Sequence, residues 1–264
     1  MQLNRKVAAL AQLLSFAAAT PLSREEKPPV FFLAGDSTTA VQSTGGGGWG
    51  DGFLNTTLQN GATGTNYGHN GATTVSFRKG GDWATVLSAA QNASCEFLPY
   101  VTIQFGHNDQ KAEKNISMAQ FTSNLVTFVD EVRAVNAIPI LVTSISRRRF
   151  SNSTGKINEN LKDVVAATKK AAEESGASVI DLNEASTAYL NAIGEEKSAT
   201  FNLNPTDFTH LNSEGSVVFG NMVASLLREA VPELEEWVVP VEEVEEALEE
   251  GEYYFPDNCT GAFC

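Results

Sequence analysis

Ser37, Gly71, Asn108, Asp207 and His210 are the residues of this 264-residue chain whose types and order could carry out acyl transfer. That reaction needs a nucleophile, a base to take its proton, a group to orient the base, and donors for the developing oxyanion. Ser37 offers a hydroxyl in Gly35-Asp36-Ser37, a turn that follows an apolar run. His210 is the candidate base, because imidazole titrates closest to neutral pH. Asp207, on the same short segment, can reach the other ring nitrogen and fix its tautomer. The oxyanion donors are the backbone N–H groups of Ser37 and Gly71 and the side-chain amide of Asn108. Gly71 has no side chain, so a substrate can approach its N–H closely.

Each candidate sits where a structural element ends. Val30 to Ala34 is apolar without alternation, the pattern of a strand buried on both faces in a parallel sheet. Ligands of open α/β sheets bind beyond the carboxyl ends of such strands. A short second strand, Thr65 to Tyr67, leads into Gly68-His69-Asn70-Gly71, and a third, Tyr100 to Phe105, leads into Gly106-His107-Asn108-Asp109. Ile138–Thr143 and Ala177–Leu182 complete five strands. Between them, helical spacing marks segments around Trp49 and Phe53, from Asp82 to Ala90, from Ser117 to Asn136 and from Ile157 to Ser175. A last helix, capped by Ser213, follows His210. Strands alternating with helices predict an α/β fold, a three-layer α/β/α sandwich around a central five-stranded parallel sheet.

Other conspicuous residues have plainer readings. Gly45 to Gly48 lack the Gly-Lys-Ser/Thr of a phosphate loop, so they predict a mobile loop before a helix. His107 should point away from the oxyanion site, because strand-end side chains alternate. Asp36 and Asp109 sit in sharp turns and are expected to orient those loops. His69 is a candidate substrate contact. In Arg147-Arg148-Arg149, after the fourth strand, Arg148 and Arg149 are candidates for meeting carboxylates of an acidic substrate.

The chain ends carry their own signals. Arg5 and Lys6 precede an apolar run, Val7 to Ala19, with small residues at its end, so residues 1–19 predict a signal peptide and a secreted, extracellular protein. Five Asn-X-Ser/Thr sequons, at Asn55, Asn92, Asn115, Asn152 and Asn258, fit that route. Net charge is −14, and ten glutamates between Glu233 and Glu252 supply most of it. That run predicts a solvated helix face or a loosely ordered tail. The domain should cover 30–231, with 232–264 as an acidic extension that a Cys259–Cys264 bridge could staple, Cys95 remaining apart. No basic stripe predicts a nucleic-acid partner, no Cys- or His-rich spacing predicts a metal, and no later stretch predicts a membrane span.

In the order GDSTT, Asn70-Gly71, GHND and DxxH, the blocks resemble the SGNH or GDSL hydrolases, from Val30 to about Ala230. That resemblance implies a flavodoxin-like fold and Ser, Gly, Asn and His as the working residues. A narrower resemblance, to the rhamnogalacturonan acetylesterases, rests on GGWGDGF, Asn70 to Arg78, GHNDQK, and Arg148-Arg149-Phe150 before Gly155-Lys156. It implies removal of acetyl groups from the galacturonate residues of branched pectin, without metal or organic cofactor. Two features depart from the pattern: the cysteine pair some relatives carry after GHND is missing, and the acidic run is extra. The expectation is a monomeric, secreted serine esterase acting on acetylated pectic polysaccharide through an acetyl-enzyme. The alternatives are a lipase or esterase for other acyl groups and, in another class, a non-catalytic carbohydrate-binding protein.

Overall fold

The computed structural model describes residues 27–256. The signal segment, the Asn258 sequon and the Cys259–Cys264 pair lie outside the described residues. Five parallel strands form one sheet: β1 (Pro29–Gly35), β2 (Thr63–Asn66), β3 (Leu98–Gln104), β4 (Ile138–Val142) and β5 (Ser178–Ile180), in the order β2-β1-β3-β4-β5. This is the expected α/β sandwich. The unalternating run of β1 has a simple cause: Phe31 and Leu33 enter one core cluster, while Val30, Phe32 and Ala34 enter the other. Both faces of the strand are covered, so both parities must be apolar.

Helices α1 (Gly50–Thr56), α6 (Leu182–Ala199) and α7 (Ser213–Ala230) pack on the first of those faces. Helices α2 (Thr74–Lys79), α3 (Asp82–Ala93), α4 (Met118–Ala134) and α5 (Lys162–Ser175) pack on the second. Two of these escape sequence periodicity. The single turn of α2 is set by a capping box, with the Thr73 side chain accepting from Ser76 N and the Ser76 hydroxyl accepting from Thr73 N. In α6 the helical repeat breaks at Gly194 (φ 84°, ψ 171°), so no single apolar stripe runs its length.

Several boundaries shift for local reasons. The fifth strand stops at Ile180 because Asp181 caps α6, accepting from Glu184 N. Helix α5 begins at Lys162, not Ile157, since Ile157 pairs with Phe150 across a loop. Asn212, not Ser213, caps α7, accepting from Gly215 N, and Gly81, not Asp82, precedes α3.

The acidic run is no loose tail. It forms α8 (Glu242–Glu250), whose Val244 is buried while Glu245 accepts from Ser225 and pairs with Arg228 of α7. Leu234 and Val238 are buried, and Val239 N donates to Thr57 O at 2.7 Å. Beyond α8, Phe255 stacks on Phe201 and the Tyr253 hydroxyl donates to Thr200. Residues 232–256 therefore close over the same core as the domain before them. Cys95 is exposed and has no disulfide partner among the described residues.

Candidate active site

β1 and β3 lie side by side, and β2 and β4 flank them, so the chain crosses in opposite directions from the centre of the sheet. The crevice beyond that point is where doubly wound sheets bind ligands. Ser37 leaves β1 there and Asn108 follows β3. The turn at Ser37 is held from within: Asp36 Oδ1 accepts from Thr38 N (2.9 Å) and the Thr38 hydroxyl (2.7 Å). From below, Gln104 Oε1 accepts from Thr38, Thr39 and the Trp49 indole at 3.1, 2.7 and 3.0 Å. A glutamine closing a strand buried on both faces was the sequence signal for this support.

The glycine run is packed, not mobile. Gly47 N donates to Ser37 O (3.2 Å), and Leu211 N donates to Gly47 O (2.8 Å), so the run ties the serine turn to the residue after His210. A Cβ on Gly48 would stand 2.1 Å from Thr38 O, and one on Gly47 2.4 Å from Leu211 O. Only glycine permits backbones that close.

At that junction three side chains meet. His210 Nε2 is 2.8 Å from Ser37 Oγ, and His210 Nδ1 is 2.8 Å from Asp207 Oδ2. The second Asp207 oxygen accepts from Thr209 N and His210 N, each at 2.9 Å. Partial burial pushes the Asp207 carboxyl up, but these bonds outweigh it and hold the group below its ordinary value. A carboxylate there accepts a hydrogen bond from Nδ1–H, which keeps the proton on Nδ1 and leaves Nε2 free to accept from a hydroxyl. A Cβ on Gly71 (φ +77°) would meet no atom within 4 Å, and Asn108 Nδ2 donates to Ala72 O at 3.0 Å. Ser37, Gly71, Asn108 and the Asp207–His210 segment line one depression of about 690 Å³.

The substrate-contact candidates divide. Arg149 lines the depression with its guanidinium 4.7 Å from the Phe208 ring, and Arg147 lines it too. Arg148 does not: it is 1% exposed, donating from Nε to Asn202 Oδ1 (2.7 Å) and from Nη2 to His210 O. Alternation along the extended segment turns Arg148 inward and its neighbours outward. Burial pushes the Arg148 guanidinium down to about 9, against the pull of Asp207, so it stays charged at neutral pH. His69 stands apart. It pairs with Asp82 (3.1 Å) and does not line the depression.

Residues 33–218 match the GDSL-like Lipase/Acylhydrolase family. The rhamnogalacturonan acetylesterase RhgT of Bacillus subtilis is 32% identical over 77% of this chain and 91% of its own. The chain belongs to the GDSL-like acylhydrolases. Carboxylic ester hydrolysis comes with that membership. Solved structures share the fold. The Bacillus subtilis protein YXIM superposes with TM-score 0.67 and 23% identity over 77% of this chain, which spans 57% of that one. The acetylxylan esterase Axe2 of Geobacillus stearothermophilus gives 0.56 and 20%, over 78% of this chain and 95% of its own.

This GDSL-like acylhydrolase buries a second acid and imidazole, Asp36 and His107, and His107, expected to point away from the oxyanion site, borders the depression beside Asn108. Asp36 Oδ2 and His107 Nδ1 are 3.9 Å apart, and neither atom has a hydrogen-bond partner among the described residues. Burial, with Arg147 and His210 nearby, pushes His107 well below its ordinary value, so its ring is neutral. Burial also raises the Asp36 carboxyl to about 6, against the bonds from Thr38. The unfolded chain releases that proton near pH ~3.9. Between the two values the folded state holds more protons, so this residue makes stability fall as pH rises. Asp36→Asn is expected to flatten that part of the profile and to be at least as stable as wild type at neutral pH. Urea unfolding at about pH 4.5 and about pH 7 checks this; equal pH dependence in the two proteins rules it out.

Proposed function

We propose that this protein is a secreted carbohydrate esterase that removes acetyl groups from pectic rhamnogalacturonan. Ser37 Oγ attacks the acetyl carbonyl while His210 Nε2 takes its proton. The tetrahedral oxyanion is received by the N–H groups of Ser37 and Gly71 and the Asn108 amide. The bond from the carbonyl carbon to the sugar oxygen breaks, and His210 returns its proton to that oxygen. Water, deprotonated by His210, then attacks the acetyl-enzyme; the bond from the carbonyl carbon to Ser37 Oγ breaks, His210 returns the proton to Oγ, and acetate leaves.

The observation that carries the substrate reading is the charge of the depression. Lys111, Arg147 and Arg149 line it, and its one acidic residue, Asp207, is engaged by His210. In a chain of net charge −14 such a cationic rim suits a uronate polymer, whose carboxylates a planar guanidinium meets bidentately. Its polar lining also disfavours a long acyl chain, and the kinship to RhgT, itself a rhamnogalacturonan acetylesterase, supports the same substrate. Export is supported by the basic residues and apolar run at the N-terminus.

Acetate release from acetylated rhamnogalacturonan, beside acetylated xylan and acetylated homogalacturonan, tests the proposal. A clear preference for neutral xylan overturns it. Arg149→Ala is expected to raise KM for the rhamnogalacturonan substrate by about five- to tenfold, the loss of one exposed charge-assisted contact. The rise should be much smaller for p-nitrophenyl acetate, and equal rises on both esters would remove the carboxylate from the argument.

A further inference from the structure

We propose that Lys111 is a positioning residue that holds and polarises the Asn108 amide. The turn after β3 brings them together: Lys111 N donates to Asn108 O at 3.1 Å, and the side chain returns to place Nζ 2.7 Å from Asn108 Oδ1. On the other side of the amide, Nδ2 donates to Ala72 O. One amide N–H is thus spent on Ala72 and one remains for an oxyanion. A flipped amide would set NH₂ against an ammonium and Oδ1 against a carbonyl oxygen, two repulsive contacts at once. The pair of partners therefore admits one orientation, with Oδ1 on Lys111 and Nδ2 on Ala72 O.

The ammonium does more than select that orientation. A cation bonded to Oδ1 draws density from the amide nitrogen, which makes its remaining N–H a stronger donor. Negative charge that develops on the substrate oxygen is then met by an amide already polarised in the right sense, with no rearrangement during the reaction. The inference rests on the acyl-transfer reading above, in which Asn108 contributes to the oxyanion site.

The test uses p-nitrophenyl acetate, a neutral ester that separates this role from any attraction of Lys111 for a uronate. Asn108→Ala is expected to lower kcat by about 10²–10³-fold. Lys111→Met should lower kcat about tenfold with KM little changed, the worth of one charge-assisted hydrogen bond. Lys111→Arg should recover most of that loss, and Lys111→Met should have no further effect once Asn108 is alanine. Unchanged Tm in Lys111→Met excludes a general loss of structure, since the side chain is exposed. A Lys111→Met effect confined to KM on acetylated rhamnogalacturonan overturns the inference, as does an equal loss in the Asn108→Ala background. If Ser37→Ala or Asn108→Ala leaves turnover intact, the acyl-transfer reading itself fails. If both collapse it while Lys111→Met does nothing, only the role of Lys111 falls.

Discussion

Ser37→Ala is expected to lower kcat on p-nitrophenyl acetate by about 10⁴-fold or more, the scale seen when a nucleophile is removed but the oxyanion donors stay. The proposed chemistry has no substitute for the hydroxyl, because no other side chain lies within bonding distance of His210 Nε2 among the described residues. Stability should hardly change. The turn is held by Asp36, Thr38, Gln104 and the glycine run through atoms other than Ser37 Oγ. Removing that oxygen leaves His210 Nε2 facing the open depression, where water can replace it. A variant with native Tm and no turnover is the expected result. Residual activity within tenfold of wild type would dismiss Ser37 as nucleophile.

Arg148→Met should damage both stability and rate. Methionine fills much of the volume but donates nothing, so Asn202 Oδ1 loses its partner and His210 O keeps only the bond from Leu203 N. Hydrogen bonds from a charged group are worth roughly 1.5–3 kcal/mol each, while release of a buried cation from its desolvation offsets part of the loss. A net destabilisation of about 2 kcal/mol follows, read as a lower urea midpoint. The Asp207–His210 segment is anchored through that contact, so kcat should fall on the order of 10²-fold on every ester, with KM little changed. Arg148→Lys should not rescue it, since an ammonium lacks the fork that reaches two acceptors at fixed angles. If Arg148→Met instead raises KM for a uronate substrate and spares p-nitrophenyl acetate, Arg148 touches substrate and its role as a buried strut is wrong.

The contrast between Arg148 and Arg149 shows where sequence reasoning stops. Three adjacent arginines after a strand looked alike, and nothing in their order distinguished them. Their fates depend on Phe208, Asn202 and His210, which are more than fifty residues away and arrive only on folding. Lys111 was equally silent, because the shape of the turn that folds its Nζ back onto Asn108 Oδ1 is not specified by the residue types alone. The glycine run was legible as special but not as packed. Its meaning comes from the backbones of Thr38 and Leu211, which approach from opposite ends of the chain.

What the sequence determined by itself is what short-range chemistry encodes. An apolar run without alternation marked β1, helical spacing marked α3, α4 and α7, and polar turns after the strands marked the residues that could react. Their order also carried the family. Only tertiary structure decided that Ser37 and His210, 173 positions apart, stand 2.8 Å from each other, that the acidic run closes the core, and that one arginine of three is buried. The physical reason is that periodicity and turn propensity report on a residue's own backbone, whereas distance, burial and charge at a site are properties of what the whole fold brings beside it.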